Sequence, residues 1–366
     1  MNNKQILIVT SEFPPQPGGI GNHAYNLAKH LEGEGLQVAV IADQRSVSGE
    51  EEVSFDSLLK FQVHRVALSQ PRVLMYFKRI VLLFENLKSS DVVIASGKFS
   101  LWSVAFASLF YKRRYVAVIH GSEVNFTKRS LKIAVNLSLK RFSKLIAVSN
   151  YTKDLVKAIH PNIVVIPNGI DITVFEHTLP KNLNLAGQPK LITVGNVTER
   201  KGQLHVIKHL PILLKAYPNL HYHCVGLPTQ RDEFLKVAEA LNVARHITFH
   251  GRVSGVELPS YLLSSDIFVM LSSATTTGDV EGFGIALLEA NYFGLPCIGA
   301  KGCGIEDAID NYRSGRLITH TNVTEIKVAL DDILSNSEHY KQNAKDWSLQ
   351  HSWTLLIKRY IKALEL

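Results

Sequence analysis

Short apolar runs with the character of β-strands alternate with segments of helical period along this chain of 366 residues. Runs such as Gln5 to Thr10 and Gln37 to Ala42 are rich in aliphatic residues, and the segments between such runs repeat apolar residues at helical spacing. Parallel strands are joined by crossover connections that are usually helical. The alternation therefore predicts an α/β fold in which helices cover parallel sheets.

The alternation occurs twice, and a break separates the two halves. Between Asp171 and Lys190, prolines and glycines interrupt the periodicity, and a chain of this length exceeds what one core usually supports. We predict two doubly wound Rossmann-like domains, at 1–175 and 186–348, and a C-terminal helix at 349–366 that packs back on the body. Ligands of such sheets bind beyond the carboxyl ends of the strands, so two facing domains would share a cleft.

The composition is typical of a globular protein in a reducing compartment. Hydrophobic residues make up 46% of the chain and charged residues 20%, and no apolar run reaches the roughly 18 residues needed to span a bilayer. The three cysteines, Cys224, Cys297 and Cys303, show no metal-ligand spacing. A strand-like run begins at Gln5 with no signal-type segment before it. These features predict a cytoplasmic protein, peripheral on the inner face of the membrane if its basic segment binds lipid.

Two glutamates, Glu281 and Glu289, lie eight positions apart around a glycine pair that opens an apolar helix. Gly284 would let a ligand approach the backbone, while the free N–H groups and the dipole of the first helical turn suit a phosphate. Carboxylates accept hydrogen bonds from sugar hydroxyls. Charge complementarity at a helix start and a solvated face would also explain the pair, but Glu289 lies in an apolar stretch where an unpaired carboxylate is destabilising. We therefore predict a nucleotide-sugar site here.

A glycine-rich basic loop, Gly195 to Gly202, follows the first strand of the second half and opens a helix. Release of a diphosphate from a nucleotide sugar builds up negative charge, and fixed cations with backbone donors lower that barrier. Arg200 and Lys201 provide such cations. A solvated basic turn would explain the charges alone, but the glycines and the helix start also favour an anion.

Two features of the first half lie where its strands should end. Gly18 and Gly19 follow three prolines between the first strand and a helix. This loop alone is a weak signal, and no full Gly-x-Gly-x-x-Gly dinucleotide motif follows the strand. His120 ends the run Tyr115 to Ile119. A lone histidine there is more often structural than functional, yet the carboxyl end of a strand is where sites occur.

The order of these motifs resembles the retaining glycosyltransferases of family four, which have the GT-B fold. The resemblance covers almost the full chain, and within the family the chain looks most like the phosphatidylinositol mannosyltransferase type. The residues that carry it are a Gly-Gly loop after the first strand, His-Gly-x-Glu at His120, Pro-Asn-Gly-x-Asp at Asn168, Arg-Lys-Gly at Arg200, and the pair Glu281 and Glu289.

The resemblance implies a hexosyltransferase that retains anomeric configuration. Its nucleotide-diphosphate sugar would bind the second domain, and a glycan, lipid-linked or small-molecule acceptor would be held mainly by the first. Glu281 would contact the sugar hydroxyls, Glu289 the ribose hydroxyls, and His120 would position the sugar. The family usually has an arginine where this chain has Asn196, so Arg200, or Lys201 with the loop backbone, would take over that contact. The residues expected in catalysis are His120, Arg200, Lys201 and Glu281, and those expected to bind the donor are Gly18, Gly19, Asn196, Phe283, Gly284, Ile285 and Glu289.

No metal is predicted, and no cofactor beyond the nucleotide-sugar co-substrate. Asp279 and Glu281 resemble an Asp-x-Asp metal motif only superficially, because hard cations need more oxygen ligands than this loop offers. Two other functions are considered. A sugar-nucleotide epimerase of GT-B-like fold would need acidic and basic groups for proton abstraction, and a non-catalytic carbohydrate-binding protein would have little use for the basic loop and the glutamate pair together.

Positive charge is concentrated in one segment of the first half. The segment from Arg72 to Lys144 contains fourteen basic and three acidic residues, within a chain of net charge +8. Its cations alternate with apolar residues at helical spacing, which predicts a surface for anionic membrane, although a solvated face over the core explains the same pattern. No nucleic-acid motif accompanies the charge, so no nucleic-acid partner is expected. The stripe predicted to meet lipid is Leu131, Val135, Leu139 and Phe142, beside Lys128, Lys132, Lys140 and Arg141.

Overall fold

Residues 4–71, 73–176 and 178–366 are described by a computed structural model. Arg72, the first cation of the basic segment, lies outside these residues. Within them, no helix combines the length and the apolar character needed to cross a membrane. The predicted α/β fold is confirmed, because the described strands form two parallel sheets with helices between the strands.

The chain divides into two compact units. The first unit ends at Asn168 and also contains Trp353–Leu366, and the second unit is Gly169–Ser352. The sequence prediction instead ended the first domain at 175 and began the C-terminal segment at 349.

Seven strands form the parallel sheet of the first unit. They are β1 (Gln5–Thr10), β2 (Gln37–Asp43), β3 (Gln62–Val66), β4 (Val92–Ser96), β5 (Arg114–Ile119), β6 (Lys144–Ala147) and β7 (Ile163–Val165). Their spatial order is β3-β2-β1-β4-β5-β6-β7, so the order reverses between β1 and β4. Ligands of such sheets bind at the carboxyl ends of the strands beside this reversal.

Six further strands form the parallel sheet of the second unit. They are β8 (Lys190–Val194), β9 (His221–Val225), β10 (Ile247–Gly251), β11 (Ile267–Met270), β12 (Cys297–Ala300) and β13 (Gly315–Ile318). Their order is β10-β9-β8-β11-β12-β13, which reverses between β8 and β11. The central strands are buried on both faces: every residue of β11 is inaccessible to solvent. This double burial accounts for continuous apolar runs rather than an alternating pattern.

Helices cover both sheets. The first unit has α1 (Gly19–Gly33), α2 (Glu50–Asp56), α3 (Val73–Leu87), α4 (Lys98–Ala107), α5 (Arg129–Leu139), α6 (Asn150–Val156) and the C-terminal α14 (Trp353–Leu364). The second unit has α7 (Thr173–Glu176), α8 (Gln203–Ala216), α9 (Arg231–Ala240), α10 (Leu258–Leu263), α11 (Ile285–Tyr292), α12 (Val323–Ser335) and α13 (Ser337–Gln350). Short 3-10 turns occur at Glu199–Lys201, Ala244–His246 and Gly304–Ala308.

The C-terminal helix α14 packs against α1 of the first unit. Its apolar stripe, Leu356, Tyr360 and Leu364, is fully buried. Trp353 at its start stacks on His30 of α1, with ring centroids 5.8 Å apart. The end of the chain therefore forms part of the core of the first unit.

The apolar stripe predicted to meet lipid on α5 is instead part of the protein core. Val135 and Leu139 are completely buried, and Phe142 is nearly so. An amphipathic helix buries its apolar face against the sheet. The prediction that this face meets lipid was therefore wrong. Ile133 and Leu137 are the large apolar residues of α5 that are exposed to solvent.

Candidate functional site

The basic loop of the second unit connects the end of β8 to the start of α8. Gly202, the residue before α8, has a φ of 80°, in the left-handed region that favours glycine. A Cβ atom at this position would also overlap the carbonyl oxygen of Leu271, just after β11. Glycine at Gly202 therefore lets the start of α8 lie directly against the end of β11, where the order of the sheet reverses.

Of the two predicted glutamates, Glu281 lies in the segment between β11 and α11, and Glu289 lies on α11. This segment ends at Gly284, whose φ of 92° places this N-cap residue of α11 in the left-handed region. The backbone of Glu281 is held by a hydrogen bond from the Gly304 N–H to its carbonyl oxygen, at 2.9 Å. This hydrogen bond ties the loop after β11 to the loop after β12, so Glu281 has a defined place at the carboxyl edge of the sheet.

Three predicted catalytic residues form one ion cluster. The Lys201 Nζ lies 2.8 Å from the Glu281 Oε2, and the Arg200 Nη1 contacts the same oxygen. The Arg200 Nε lies 3.0 Å from the Asp279 Oδ2. The loops after β8 and β11 therefore bring Arg200, Lys201 and Glu281 together. Sequence analysis placed these cations against a diphosphate and did not anticipate their pairing with Glu281.

The two glutamates differ in their electrostatic environment. Burial by itself would raise the pKa of Glu281, but Lys201 and Arg200 outweigh it and hold the pKa below its usual value. For Glu289, burial raises the pKa and Lys201 only partly offsets the increase. Glu281 is therefore an ionised carboxylate at neutral pH, whereas Glu289 is a weaker acid than an exposed glutamate.

The cluster can exchange partners with a ligand. A diphosphate would compete with Glu281 for Lys201 and Arg200, because phosphate oxygens are strong acceptors of charge-assisted hydrogen bonds. Glu281 would then be available to accept hydrogen bonds from hydroxyl groups. The arrangement thus suits a ligand that combines a diphosphate with hydroxyls.

The other residues of the second unit that were predicted to bind the donor differ in their exposure. They are Asn196, Phe283 and Ile285. Asn196 is exposed, and its carbonyl oxygen accepts a hydrogen bond from the Gln203 Nε2 at 3.1 Å. Phe283 is 1% exposed and its ring lies 6.1 Å from that of His351, so only its backbone could meet a donor. Ile285 begins α11 and is partly exposed.

Sequence analysis did not identify Gln203 or the structural role of Asp279. Gln203 is buried and its Nε2 donates to the backbone of the basic loop, which it holds against α8. A glutamine in the first turn of a helix gives no distinguishing sequence signal. Asp279 was considered only as a metal ligand, whereas it fixes the guanidinium of Arg200.

In the first unit, His120 follows β5 at the carboxyl edge of the sheet. Its Nε2 lies 3.0 Å from the Oγ of Ser96, which ends β4. Its backbone N–H donates to the Oε1 of Glu123. Burial lowers the pKa of His120 to about 4 and raises the pKa of Glu123 to about 7. His120 is therefore a neutral imidazole at neutral pH.

The predicted Gly18 and Gly19 lie at the start of α1. The helix begins at Gly19, with Gly18 as its N-cap residue. A side chain at Gly18 would overlap the carboxylate of Glu12. The Arg45 Nη1 donates to the carbonyl oxygen of Pro17 at 3.0 Å, which braces the loop. Gly18 and Gly19 share the carboxyl edge of the first sheet with His120.

The described residues contain no group of three or more His, Cys, Asp or Glu side chains placed to hold a metal ion. Asp279 and Glu281 each contact Arg200. Whether the reaction needs a metal stays a prediction from the sequence.

Two family models match the chain, one on each side of residue 174. "Glycosyltransferase Family 4" matches residues 17–174. "Glycosyl transferases group 1" matches residues 175–347. Together they extend over every strand of the two sheets except β1.

Two bacterial mannosyltransferases are similar to the chain over nearly its full length. One is the GDP-mannose-dependent alpha-(1-6)-phosphatidylinositol monomannoside mannosyltransferase of Mycolicibacterium smegmatis, 25% identical over 90% of this chain and 89% of the relative. The other is the GDP-mannose-dependent monoacylated alpha-(1-6)-phosphatidylinositol monomannoside mannosyltransferase of Corynebacterium glutamicum, 23% identical over 91% of this chain and 90% of the relative.

Solved structures share the fold of the whole chain. A glycosyltransferase from Rickettsia africae superposes with a TM-score of 0.78 at 20% identity, covering 100% of this chain and 98% of that one. Anabaena Alr3699/HepE in complex with UDP and glucose superposes with a TM-score of 0.78 at 18% identity, covering 99% of each chain. These likenesses establish a two-domain GT-B fold.

Proposed function

We propose that this chain is a glycosyltransferase of family four and that it transfers a hexose from a nucleotide-diphosphate sugar with retention of anomeric configuration. The acceptor is a glycan, a lipid-linked glycan or a small molecule. The observation that carries the proposal is the cluster of Lys201, Arg200 and Glu281 at the carboxyl ends of β8 and β11. It combines cations for a leaving diphosphate with a carboxylate for sugar hydroxyls.

In the proposed reaction, the bond between the anomeric carbon and the diphosphate oxygen breaks while the acceptor hydroxyl oxygen bonds to the same carbon. The acceptor proton moves to the departing diphosphate, so no side chain has to serve as the base. Lys201 and Arg200 stabilise the charge that develops on the diphosphate. Glu281 binds the sugar hydroxyls and Glu289 the ribose hydroxyls.

His120 is proposed to position the sugar rather than to abstract a proton. Burial lowers its pKa to about 4, so the imidazole is neutral at neutral pH. It therefore bears no charge that would oppose an oxocarbenium-like centre. Its Nε2 is engaged by Ser96, which fixes the orientation of the ring.

A donor panel tests this function. GDP-mannose is the first donor to try, because the two similar mannosyltransferases are named for it, and UDP-glucose is the second. Release of nucleoside diphosphate that depends on acceptor supports a glycosyltransferase. Interconversion of the sugar without release would support an epimerase, and binding without either reaction would support a carbohydrate-binding protein.

We propose that the first unit also docks on anionic membrane, through the surface formed by α3, α4 and α5. The helix α4 packs against both neighbours. Exposed apolar side chains on this surface include Phe77 of α3 and Leu137 of α5, which are 67% and 61% exposed. Exposed apolar residues flanked by cations favour an interface with anionic lipid. The exposed cations of this surface include Lys78, Lys128, Arg129 and Lys132.

Replacing Lys128, Arg129 and Lys132 with glutamine should weaken binding to anionic liposomes by about 100-fold. Each cation near the membrane surface contributes about 1 kcal/mol, and this attraction fades with salt. Sedimentation with vesicles of anionic phospholipid at low salt measures the partitioning.

The control removes three exposed cations of the second unit, Lys208, Lys215 and Lys236. Both triple variants lose three positive charges. If the surface formed by α3, α4 and α5 contacts the membrane, binding to liposomes should weaken only in the first variant. Equal partitioning of the wild type and the first variant would show that these cations are only solvated and would favour a soluble acceptor.

A further inference from the structure

A row of polar side chains runs through the core of the first unit, from His120 to the C-terminal helix. The Nε2 of His23, on α1, lies 2.7 Å from the hydroxyl oxygen of Tyr360, on α14. The rings of His23 and His120 meet edge to face, with centroids 4.9 Å apart and planes at 80°. The row thus links α14 to the histidine that follows β5.

This row is buried and incompletely hydrogen-bonded. His23 is 1% exposed and Tyr360 is 0% exposed. The Nδ1 of His23 has no hydrogen-bond partner among residues 4–71, 73–176 and 178–366. A buried polar atom without a partner destabilises the folded state. An apolar residue of similar size would avoid that loss, so a contribution other than stability is expected from His23.

All three groups are neutral at neutral pH. The pKa of His23 lies well below its usual value, mainly because the ring is buried and to a smaller extent because His120 lies beside it. Burial raises the pKa of Tyr360 far above that of an exposed tyrosine. The phenol of Tyr360 keeps its proton, and the row is therefore a set of fixed orientations rather than a path for charge.

The ring of His120 is held on two sides. Ser96 fixes its Nε2 at 3.0 Å, and the edge-to-face contact with His23 limits rotation of the ring. The ring of His23 is held in turn by the hydroxyl of Tyr360 and by Trp353, whose ring lies 5.2 Å away. Both Trp353 and Tyr360 belong to α14.

We propose that Tyr360 and His23 are positioning residues for sugar transfer: the Tyr360 hydroxyl fixes His23, and His23 fixes the imidazole plane of His120. This inference rests on the proposed function, in which His120 contacts the transferred sugar. The C-terminal helix thereby supports the site of the first unit through His23 and His120. Small errors in the placement of such a group lower the rate, because the reaction depends on orientation.

The test removes only the hydroxyl, by Tyr360→Phe, which keeps the ring stacked near Trp353 at 5.8 Å. We expect kcat to fall about tenfold while the KM for the donor stays unchanged, as for a loss of orientation. Tyr115→Phe is the matched control, because Tyr115 is a buried tyrosine of β5 whose hydroxyl donates to the Tyr111 carbonyl oxygen at 2.8 Å. Its kcat should not change.

Two further measurements separate positioning from a general loss of stability. In a His120→Ala background, Tyr360→Phe should cause no additional fall in kcat, whereas a full additional tenfold fall would overturn the proposal. If Tyr360→Phe folds poorly, His23→Gln replaces it, because an amide can still bond to Tyr360 but presents no ring edge to His120; it should lower kcat by a similar factor.

An experiment without substrate distinguishes this inference from the proposed function. Nitrogen-15 NMR of the histidine side chains should show altered His120 imidazole signals in Tyr360→Phe and unaltered signals in Tyr115→Phe. If the wild type transfers no sugar from any donor, the proposed function fails while this result still stands. Unaltered His120 signals in Tyr360→Phe would overturn the positioning role even in an active enzyme.

Discussion

Replacing Lys201 with alanine should lower kcat by about 10²- to 10³-fold, the usual effect of removing one group that stabilises transition-state charge. In the free protein the Lys201 Nζ lies 2.8 Å from Glu281, and in the proposed reaction it faces the departing diphosphate. Arg200 still contacts the same Glu281 oxygen in the variant, so the folded state keeps most of its ion pairing. The melting temperature should therefore fall by only a few degrees. Steady-state kinetics at saturating donor and a thermal melt measure the two effects.

The control for this prediction is Lys341→Ala. Lys341 is an exposed lysine of the second unit that pairs with Glu338 at 3.0 Å, on α13. Removing it deletes an ion pair of similar length without touching the basic loop. Similar kcat values for wild type, Lys201→Ala and Lys341→Ala would contradict the role of Lys201 in diphosphate departure.

Glu289→Gln should weaken binding of the nucleotide sugar by about 1–3 kcal/mol, the range for a lost hydrogen bond to a charged group. In the proposed complex the carboxylate accepts hydrogen bonds from the ribose hydroxyls through two oxygens, whereas an amide offers a single acceptor oxygen. Burial raises the pKa of Glu289, so affinity should fall as the pH drops through that pKa and the carboxylate gains a proton. The glutamine variant should lack this pH dependence.

Calorimetric titration of donor into the folded variant measures this change, with Glu338→Gln as the control. Glu338 is an exposed glutamate of the same unit. Unchanged donor affinity in Glu289→Gln at neutral pH would remove the ribose assignment. It would leave the assignment of Lys201 intact, because that residue is tested through kcat.

The sheets were predictable because parallel strands are buried on both faces. Continuous apolar runs such as Tyr115 to Ile119 therefore mark strands directly, and β5 spans Arg114–Ile119. The carboxyl ends of those strands then indicate where ligands bind, which is why His120 and the basic loop with Lys201 were candidates. Glu281 was a candidate for a different reason, because it precedes a helix start that suits a phosphate.

Contacts between distant residues were not predictable in the same way. Arg200 and Glu281 are 81 positions apart, and their pairing depends on how two loops meet after the sheet has formed. His23 and Tyr360 are 337 positions apart, on helices that pack only in the folded unit. Helical spacing on α5 revealed an apolar face but not whether core or lipid covers it. The burial of Val135 settled that point.

Proton NMR of a reaction in progress distinguishes retention from inversion at the anomeric carbon of the product. The enzyme, a nucleotide-sugar donor and an acceptor are mixed, and the anomeric proton of the new glycoside is observed before any equilibration. We expect one nucleoside diphosphate to be released for each glycoside formed, with the anomeric configuration of the donor preserved in the product. A product of inverted configuration would contradict the proposed mechanism, and the absence of any transfer across the donor panel would contradict the function itself.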